Sequence, residues 1–342
     1  MESSVEKRNQ NGDDIVILKN FGTTLAINPK RGCEISSLVY NGIEIIHRAL
    51  DFTIPKDGEW YGHGQLLFPA VGRSKDGIYT FPDENAPSRT MPIHGFLMNS
   101  SFEEKNIGID EQGSYATYIY KHSGTDNFPF PFTLEINYRV TNNGVVFVNH
   151  TIINTSTDKD GLLPFGIGNH ITLKYPFEPD QQGATWSEGR LLSTVTHEHL
   201  LTSGSLLSGE LELRPDFQSS SALSITTPCA TNGVFGFNTS STSSEGLGIC
   251  SLMVVQPRSI SVEICHTVVS ESLDTEALSN ILRNRHFVLW GEAPKEGEKA
   301  GFICPEPWLS GPDSLNTRKG LVVLKVNQSL QWNFSIAISG GK

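Results

Sequence analysis

The sequence lacks the features that mark several classes of protein. Its 342 residues include 26 Lys and Arg against 37 Asp and Glu, which gives a formal net charge of −11. Proteins that bind nucleic acid or an anionic membrane surface normally carry a basic excess or a basic patch, and no run of Lys and Arg occurs here. No apolar run approaches the roughly 20 residues that a membrane helix needs. We therefore expect neither nucleic acid nor a membrane among the partners.

Paired cysteines are missing as well. The five cysteines are scattered and form no CxxC pair: Cys33, Cys229, Cys250, Cys265 and Cys304. An odd number without pairs fits reduced thiols better than a disulfide framework or a structural zinc site. The first fourteen residues, MESSVEKRNQNGDD, lack the apolar region of a signal peptide. These observations predict a soluble cytoplasmic protein.

What the sequence does contain is a repeated alternation with a period of two. In TLEINYRV, polar residues alternate with Leu134, Ile136, Tyr138 and Val140. The segments SISVEIC and QWNFSIAI repeat the pattern, which is typical of half-buried strands. The 32 glycines and 18 prolines punctuate these segments at the spacing of turns. We predict an all-β protein built as a large antiparallel β-sandwich.

Little else interrupts the strand pattern. Only DTEALSNILR reads as a short helix, with Asp274 as its N-cap. The Ser-rich segments 202–209 and 238–246 are interpreted as long hairpin loops, because neither shifts the composition enough to mark a domain boundary. We predict a polar, flexible N-terminus over residues 1–14 and a single sandwich domain over residues 15–342. Exposed β edges leave both a monomer and a weak homodimer open.

Polar residues that strand ends and loops could bring together stand in four short motifs. Arg73 follows an apolar strand in LLFPAVGRSKDGIYTF, and His94 stands in MPIHGF. His170 follows a Gly-x-Gly turn in LLPFGIGNHITLKYPF, and Glu306 lies between two prolines at the end of a strand in FICPEPW. Singly, each has an ordinary structural interpretation: a core or turn histidine, a surface arginine, or a glutamate that caps an edge strand.

Together and in this order, the motifs resemble the aldose 1-epimerase (galactose mutarotase-like) family. The family shows FP…NR…DG.Y.F, IHG, PF..G.HPYF and EPW.G..D..N. The matching segments here are FPAVGRSKDGIYTF (68–81), IHG (93–95), PFGIGNHITLKYPF (164–177) and EPWLSGPDSLN (306–316). The resemblance spans roughly residues 15–338, and it implies the β-supersandwich typical of the family, with an open sugar cleft on one sheet.

The resemblance also implies roles for individual residues. His170 matches the general acid of the family and Glu306 its general base, while Arg73 and His94 match residues that position the sugar. Interconversion of α and β anomers takes a proton from the C1 hydroxyl and delivers one to the ring oxygen. An imidazole and a carboxylate on opposite sides of the ring suffice for this, without metal, nucleotide or covalent intermediate. We therefore expect an isomerase that acts on a small sugar and uses no cofactor and no metal.

Three further residues are candidates for sugar binding. Trp308 is either a stacking platform for the sugar or a core or rim residue. His63, in YGHGQLLFP, is close in sequence to the Arg73 strand and is a candidate for lining the cleft. Many family members carry a sugar-binding Asp in the C-terminal half, and this chain offers Asn232 in TNGVF there and, more remotely, Asp216.

A histidine pair stands outside these motifs. His197 and His199, in THEHL, have the H-x-H form of a metal site. They lack a nearby Cys or carboxylate cluster of recognisable ligand spacing, so we interpret the segment as an exposed loop.

The identity of the sugar stays open. After His170 the family commonly continues Pro-Tyr-Phe, whereas Ile171 and Thr172 follow here and the first aromatic residue is Tyr175. Hexose 6-phosphates would require a further cation near the cleft, for which Arg89 is a candidate, and we favour free aldoses. The alternatives are a non-catalytic carbohydrate-binding protein and a recruited scaffold acting on another cyclic hemiacetal. The joint presence of Glu306 and His170 favours an enzyme.

Overall fold

The computed structural model describes residues 3–10, 12–53, 60–181, 184–218, 222–237, 250–257 and 259–340. Strands dominate this part of the chain, and their bounds are β1 Ser4–Gln10, β2 Asp13–Asn20, β3 Thr23–Asn28, β4 Glu34–Tyr40, β5 Ile43–Glu44, β6 Gly64–Leu67, β7 Ile78–Tyr79, β8 Arg89–Thr90, β9 Glu103–Asp110, β10 Gly113–His122, β11 Phe132–Thr141, β12 Val146–Asn154, β13 Leu162–Phe165, β14 Ile167–Ile171, β15 Leu173–Tyr175, β16 Arg190–Ser193, β17 His197–Leu201, β18 Leu207–Leu213, β19 Leu223–Ser224, β20 Asn232–Gly236, β21 Cys250–Val255, β22 Ile260–Val269, β23 Arg285–Glu292, β24 Gly301–Leu309, β25 Val322–Lys325 and β26 Ser329–Gly340. The helices are α1 Thr275–Leu282 and α2 Ser314–Thr317.

Two antiparallel sheets contain nearly all of these strands. The larger follows the order β1-β2-β3-β4-β6-β14-β24-β23-β20-β17-β18, with β5 beside β4 and β15 beside β24. The other follows β19-β16-β21-β22-β26-β12-β11-β10-β9, and β13–β25 and β7–β8 form two small separate pairs. The prediction of an all-β antiparallel sandwich with few short helices is confirmed.

The sheets share one core because their strands alternate as the sequence predicts. In β11, Leu134, Ile136 and Tyr138 are buried while the residues between them are half-exposed. A single apolar cluster joins these side chains to residues of the larger sheet such as Leu25. The Tyr138 hydroxyl donates a hydrogen bond across this core to the carbonyl of Cys33, just before β4. Burial of apolar area between the sheets is therefore the main stabilising contribution.

The predicted helix is present as α1. The Asp274 carboxylate accepts a hydrogen bond of 2.8 Å from the backbone N–H of Ala277, which is the expected N-cap interaction. Ile281 and Leu282 bury the apolar face of the helix. The helix connects β22 of one sheet to β23 of the other.

The N-terminal segment differs from the expectation of a flexible tail over residues 1–14. Residues 4–10 form β1, which pairs antiparallel with β2 from Ser4 opposite Lys19 to Gln10 opposite Asp13. Without β1, the N–H and C=O groups along β2 would form an open sheet edge, and a polar strand with outward charges suits that position. An ion pair of 2.7 Å between Lys7 and Glu104 adds a contact to the opposite sheet.

Two loop interpretations also change. Of the Ser-rich segment 202–209, residues 202–206 connect β17 to β18 and the remainder begins β18, while the segment 238–246 lies outside the described residues. His197 and His199, which we interpreted as part of an exposed loop, lie half-buried in β17. Their burial follows from the pairing of β17 with β20 on one side and β18 on the other.

None of the five cysteines, all of which lie in the described part of the chain, forms a disulfide. Burial raises the pKa of Cys250 to about 12 and that of Cys265 to about 11, so these thiols are protonated at neutral pH. Among the described residues, no helix has the length and apolar character needed to cross a lipid bilayer.

Candidate active site

A cleft of about 510 Å³ lies over the central strands of the larger sheet. This volume is within the range of small-molecule sites. The neighbouring strands β6, β14, β24, β23 and β20 all contribute side chains to it. Its polar lining includes Gln65, Arg73, His94, Asn99, His170, Ser205, Asn232 and Glu306, and its aromatic lining is Trp60, Tyr61, Trp290 and Trp308.

Glu306 lies inside β24, not at the end of a strand as we expected, and it stands at a gap in the pairing of β24. One edge of β24 pairs with β23 from Phe302 to Leu309. On the other edge, β15 pairs with Gly301–Ile303 and β14 with Trp308–Leu309. Pro305 and Pro307 have no N–H to donate, so they fit a central strand only where such pairing is interrupted. Their rings also restrict the backbone on both sides of the glutamate.

His170 contacts Glu306 directly. Its Nε2 lies 3.3 Å from Glu306 Oε1, and both side chains are buried. The two residues come from adjacent strands, with His170 inside β14 and not after a turn. The expectation that they lie on opposite sides of a bound sugar is therefore wrong: side chains that leave the same face of neighbouring strands stand side by side.

Burial shifts both groups of this pair toward their neutral forms. It raises the pKa of Glu306 well above the usual value, against the opposing effect of a hydrogen bond from Trp308. It lowers the pKa of His170 well below the usual value, and the neighbouring His94 lowers it further. Because the groups are in contact, they titrate as a unit, and burial favours the states in which the pair carries no net charge.

Trp308 is a core residue and not the stacking platform for a sugar that we considered. Its side chain is only 4% exposed and packs against Leu67 and Val71, so its ring face is not open to a sugar. The indole N–H instead donates a hydrogen bond of 3.0 Å to Glu306 Oε2. Trp308 therefore fixes one carboxylate oxygen and leaves the other facing His170.

Two other tryptophans, which the sequence analysis did not identify, form an aromatic wall. The rings of Trp60 and Trp290 lie 4.7 Å apart at 78°, and both are within 6.0 Å of the His170 ring. Trp60 Nε1 has no hydrogen-bond partner among the described residues. Trp290 shares the face of Glu306, because its register partner is Cys304, two residues before the glutamate. Only knowledge of this pairing could have identified it.

His94 is held as a neutral hydrogen-bond donor. The backbone N–H of Gly72 donates to His94 Nδ1 at 3.2 Å, so the proton of the neutral ring resides on Nε2. Burial, with a contribution from Arg73, lowers the pKa of His94 to about 4. The motif requires glycine at position 95, where φ is +78° and a Cβ atom would lie 2.1 Å from the carbonyl oxygen of Phe68.

Arg73 and Asn232 stand at the rim of the cleft. Arg73 is exposed, and its backbone carbonyl accepts a hydrogen bond from the backbone N–H of Asp313. No carboxylate among the described residues forms an ion pair with its guanidinium. Asn232 is exposed at the start of β20. The structure thus brings together in one cleft six of the residues singled out from the sequence: Arg73, His94, His170, Asn232, Glu306 and Trp308.

Comparisons with known proteins identify the family and the fold of the chain. A profile of the family described as aldose 1-epimerase matches residues 14–322. The chain belongs to the aldose 1-epimerase family. No curated protein sequence matches it significantly.

Several solved structures share the fold of this family member. A galactose mutarotase-like protein from Clostridium acetobutylicum is 17% identical, with a TM-score of 0.76 and 99% of each chain covered. A galactose mutarotase related enzyme from Lactobacillus acidophilus is 20% identical, with a TM-score of 0.70 over 96% of this chain and 98% of the other. The galactose 1-epimerase of Lactobacillus acidophilus NCFM is 11% identical, with a TM-score of 0.66 over 100% and 99%.

Other residues considered for sugar binding lie outside the cleft of this aldose 1-epimerase family member. His63 is fully buried, with Nδ1 at 3.0 Å from Glu34 Oε1 and Nε2 at 2.9 Å from the carbonyl oxygen of Arg48. Its closeness in sequence to Arg73 is misleading, because both of its ring nitrogens already have partners inside the protein. Arg89 donates to the carbonyl of Pro87 and does not line the cleft. Asp216 forms an ion pair with Arg214.

Three potential metal ligands also meet at the floor of the cleft. Ligand atoms of His170, Cys304 and Glu306 lie within 4.8 Å of one another. Two of these groups already have partners, since the Cys304 thiol donates to Thr172 Oγ1 at 3.4 Å and Glu306 accepts from Trp308. Burial raises the pKa of the Cys304 thiol well above its usual range, which disfavours the thiolate that a metal ion requires.

Proposed function

We propose that this protein is an aldose 1-epimerase that interconverts the α and β anomers of a free aldose by acid/base ring opening and closure. The observation that carries the proposal is the contact of 3.3 Å between His170 Nε2 and Glu306 Oε1 in a cleft of about 510 Å³. An acid and a base in contact, both buried, suit a reaction that consists of proton transfers.

The adjacent placement fits the reaction because both oxygens that change protonation are bonded to C1. Glu306 as carboxylate takes the proton of the C1 hydroxyl while His170 as imidazolium gives a proton to the ring oxygen. The bond from C1 to the ring oxygen breaks as the C1 carbonyl forms. After rotation about the C1–C2 bond, the same transfers run backwards and close the other anomer.

The pair carries one proton throughout this cycle. Ring opening starts from the arrangement with the proton on His170, which burial disfavours and the Trp308 hydrogen bond to Glu306 supports, and it ends with the proton on Glu306. Burial disfavours any state in which the pair carries net charge, and both of these arrangements are neutral overall. The pair also regains its starting protonation when the ring closes, so a turnover requires no proton from solvent.

The surrounding residues supply orientation and charge stabilisation. The Nε2–H of His94 and the guanidinium of Arg73 are donors for sugar oxygens on which negative charge develops. The Trp308 indole stabilises the carboxylate form of Glu306. Trp60 and Trp290 offer aromatic surface for the C–H groups of a pyranose.

Free aldoses are favoured over sugar phosphates by the charge of the cleft. Arg73 is the one Lys or Arg among the described residues that line the cleft, which it shares with His170 and Glu306. Phosphate recognition usually draws on several charge-assisted hydrogen bonds. A purely sugar-binding role, in turn, gives no reason to bury a carboxylate and an imidazole in contact.

The test is anomer exchange followed by NMR on glucose, galactose and their 6-phosphates. We expect acceleration by the wild-type protein, and a loss of about 10²–10⁴-fold in Glu306→Gln and His170→Asn, the range for removal of a general acid or base. Glu103→Gln, on the exposed edge strand β9, is the matched control and should be fully active. A folded wild-type protein that accelerates none of these sugars would reject the proposal, as would full activity in Glu306→Gln.

A further inference from the structure

The turn that carries Arg73 is held by an aspartate far away in sequence. The backbone carbonyl of Arg73 accepts a hydrogen bond of 2.8 Å from the backbone N–H of Asp313. The backbone N–H of Lys75 donates one of 2.8 Å to Asp313 Oδ1, across 238 positions of the sequence. Asp313 therefore binds the chain on both sides of Ser74, directly after the arginine that lines the cleft.

Asn316 extends this contact along the same turn. Its Nδ2 donates to the carbonyl of Ile78 at 2.9 Å, and its Oδ1 accepts from the backbone N–H of Thr80 at 3.1 Å. An amide nitrogen has two protons to donate, and the Nδ2 of Asn316 also donates to Asp313 Oδ1 at 2.7 Å. Backbone groups between residues 73 and 80 thus converge on two joined side chains, which we call the Asp313–Asn316 clamp.

Asp313 is arranged for this contact and not for the usual capping of a helix. It occupies the N-cap position of α2, where an aspartate normally accepts a hydrogen bond from an N–H of its own helix. Its φ is +60°, and its side chain forms no capping hydrogen bond. Asp and Asn adopt this left-handed conformation more readily than most residues with a side chain. The carboxylate accepts from the N–H of Lys75 instead.

The position of the Arg73 guanidinium depends on this turn. Arg73 is exposed, and within the described residues no carboxylate forms an ion pair with it. Gly72, just before it, is fixed separately, because its carbonyl accepts from the backbone N–H of His94 at 2.9 Å and its N–H donates to His94 Nδ1. Arg73 therefore lies between two anchored points of the backbone, and Asp313 provides the second of them.

We propose that Asp313 and Asn316 are positioning residues that hold the Arg73 guanidinium at the cleft in the orientation that ring opening requires. The inference rests on the proposed function, in which Arg73 donates to sugar oxygens on which negative charge develops. Donors of this kind act through preorganisation, so their effect depends on a fixed geometry. Asp313 and Asn316 are not among the described residues that line the cleft, so they act through Arg73 and not on the sugar.

The first test is a double-mutant cycle on anomer exchange, measured by NMR with the sugar that the wild type accelerates most. Arg73→Ala should lower kcat by roughly 10²–10³-fold, the range for loss of one charge-stabilising donor. Asp313→Ala misplaces that donor and should cost up to about 10²-fold, mainly in kcat. In the Arg73→Ala background, Asp313→Ala should cost almost nothing further, because the group that it positions is gone.

Three variants separate positioning from general damage. Asp313→Asn keeps an oxygen that accepts from the N–H of Lys75 and tolerates the left-handed conformation, so it should retain most of the wild-type kcat. Asp76→Asn removes one negative charge from the same turn, keeps both contacts of Asp313 and should leave kcat unchanged. Asn316→Ala frees the end of the turn that is remote from Arg73, so its kcat should fall between those of the wild type and Asp313→Ala.

A measurement without sugar tests the clamp itself. The amide proton of Lys75 should be protected from hydrogen exchange in the wild type and in Asp313→Asn, and should lose that protection in Asp313→Ala. Unchanged protection in Asp313→Ala would overturn the proposal, as would an equal loss of kcat with and without the Arg73 side chain. A wild type that accelerates no sugar would reject the proposed function instead, and loss of protection in Asp313→Ala would still support the clamp on the Arg73 turn.

Discussion

At Glu306, one hydrogen bond opposes the effect of burial, which raises the pKa of the carboxyl group and so favours its protonated form. The donor is the Trp308 indole, 3.0 Å from Oε2. Trp308→Phe keeps the ring and removes the donor, so the pKa of Glu306 should rise further. A hydrogen bond to a charged group contributes about 1.5–3 kcal/mol, which corresponds to a decrease in kcat of roughly 10–100-fold.

The pH profile distinguishes this role from simple packing. Because the reactive form of Glu306 is the carboxylate, the acidic limb of the kcat profile should move to higher pH in Trp308→Phe. The measurement is anomer exchange by NMR from pH 5 to 9. An unshifted acidic limb at reduced kcat would show that the ring acts only through packing.

His63 allows the opposite test, of a histidine that supports the fold and not the chemistry. Its Nδ1 faces Glu34 Oε1, and the other carboxylate oxygen of Glu34 accepts a hydrogen bond of 2.9 Å from Tyr61. His63→Ala leaves a buried carboxylate with one partner fewer, so we expect a loss of about 1–3 kcal/mol in the free energy of unfolding. Urea denaturation measures this loss, and kcat per folded molecule should change far less than in His170→Asn. A collapse of kcat with unchanged stability would contradict the structural role.

At the scale of single elements, α1 gives a prediction with an internal control. Asp274 caps the helix through the N–H of Ala277. Asp274→Ala should lower the free energy of unfolding by about 1 kcal/mol, whereas Asp274→Asn retains a good N-cap residue and should cost little. Equal losses in the two variants, measured by urea denaturation, would show that the cap contributes nothing through its hydrogen bond.

The elements also show what the sequence could predict. The alternation of apolar and polar residues identifies β11, β22 and β26, because each strand buries one face. The N-cap residue Asp274 identifies the start of α1. The strand β24 was not predictable as a central strand, because two prolines argue against one unless the neighbouring ladder is interrupted. That interruption depends on where β14 and β15 end, which is a property of the assembled sheet.

Only part of the candidate site was predictable from the sequence, because some of its residues stand in local motifs and others depend on how the sheet assembles. His170, Glu306, Arg73 and His94 stand in recognisable motifs, and the structure brings them together in one cleft. Trp60 and Trp290 have no local signal, because the assembled sheet and its connections bring them to their positions. His63 contacts Glu34 and Arg48 and is not among the residues that line the cleft. Contacts between residues far apart in sequence are the information that a single sequence does not contain.

At the scale of the whole molecule, the many buried neutral histidines predict sensitivity to acid. Burial lowers the pKa of His94 to about 4 and that of His150 to about 3. In the unfolded chain these rings take up protons near pH 6.5, so the unfolded state binds more protons below that value. Stability is therefore greatest above pH 6.5 and falls as the pH decreases toward the folded-state values.

His150 provides the test of this prediction, because it lies in the core between the sheets and far from any proposed chemistry. It should account for about 2 kcal/mol of the stability lost between pH 7 and pH 5. Urea denaturation at both pH values should give a smaller difference for His150→Gln than for the wild type. Glu44 and Glu306, whose pKa values burial raises, act in the opposite sense in both proteins and cancel in this comparison. An identical pH difference in the two proteins would rule out His150 as a source of the acid sensitivity.

The two prolines of β24 have a consequence for spectroscopy. Between Cys304 and Trp308, Glu306 is the only residue with an amide proton, because Pro305 and Pro307 have none. That one proton lies on the strand that pairs with β23 and carries the proposed catalytic carboxylate. In an amide hydrogen-exchange or heteronuclear NMR experiment it is an isolated reporter. Its protection and chemical shift would report the proposed sugar binding at the backbone of the proposed base, without averaging over neighbouring amides.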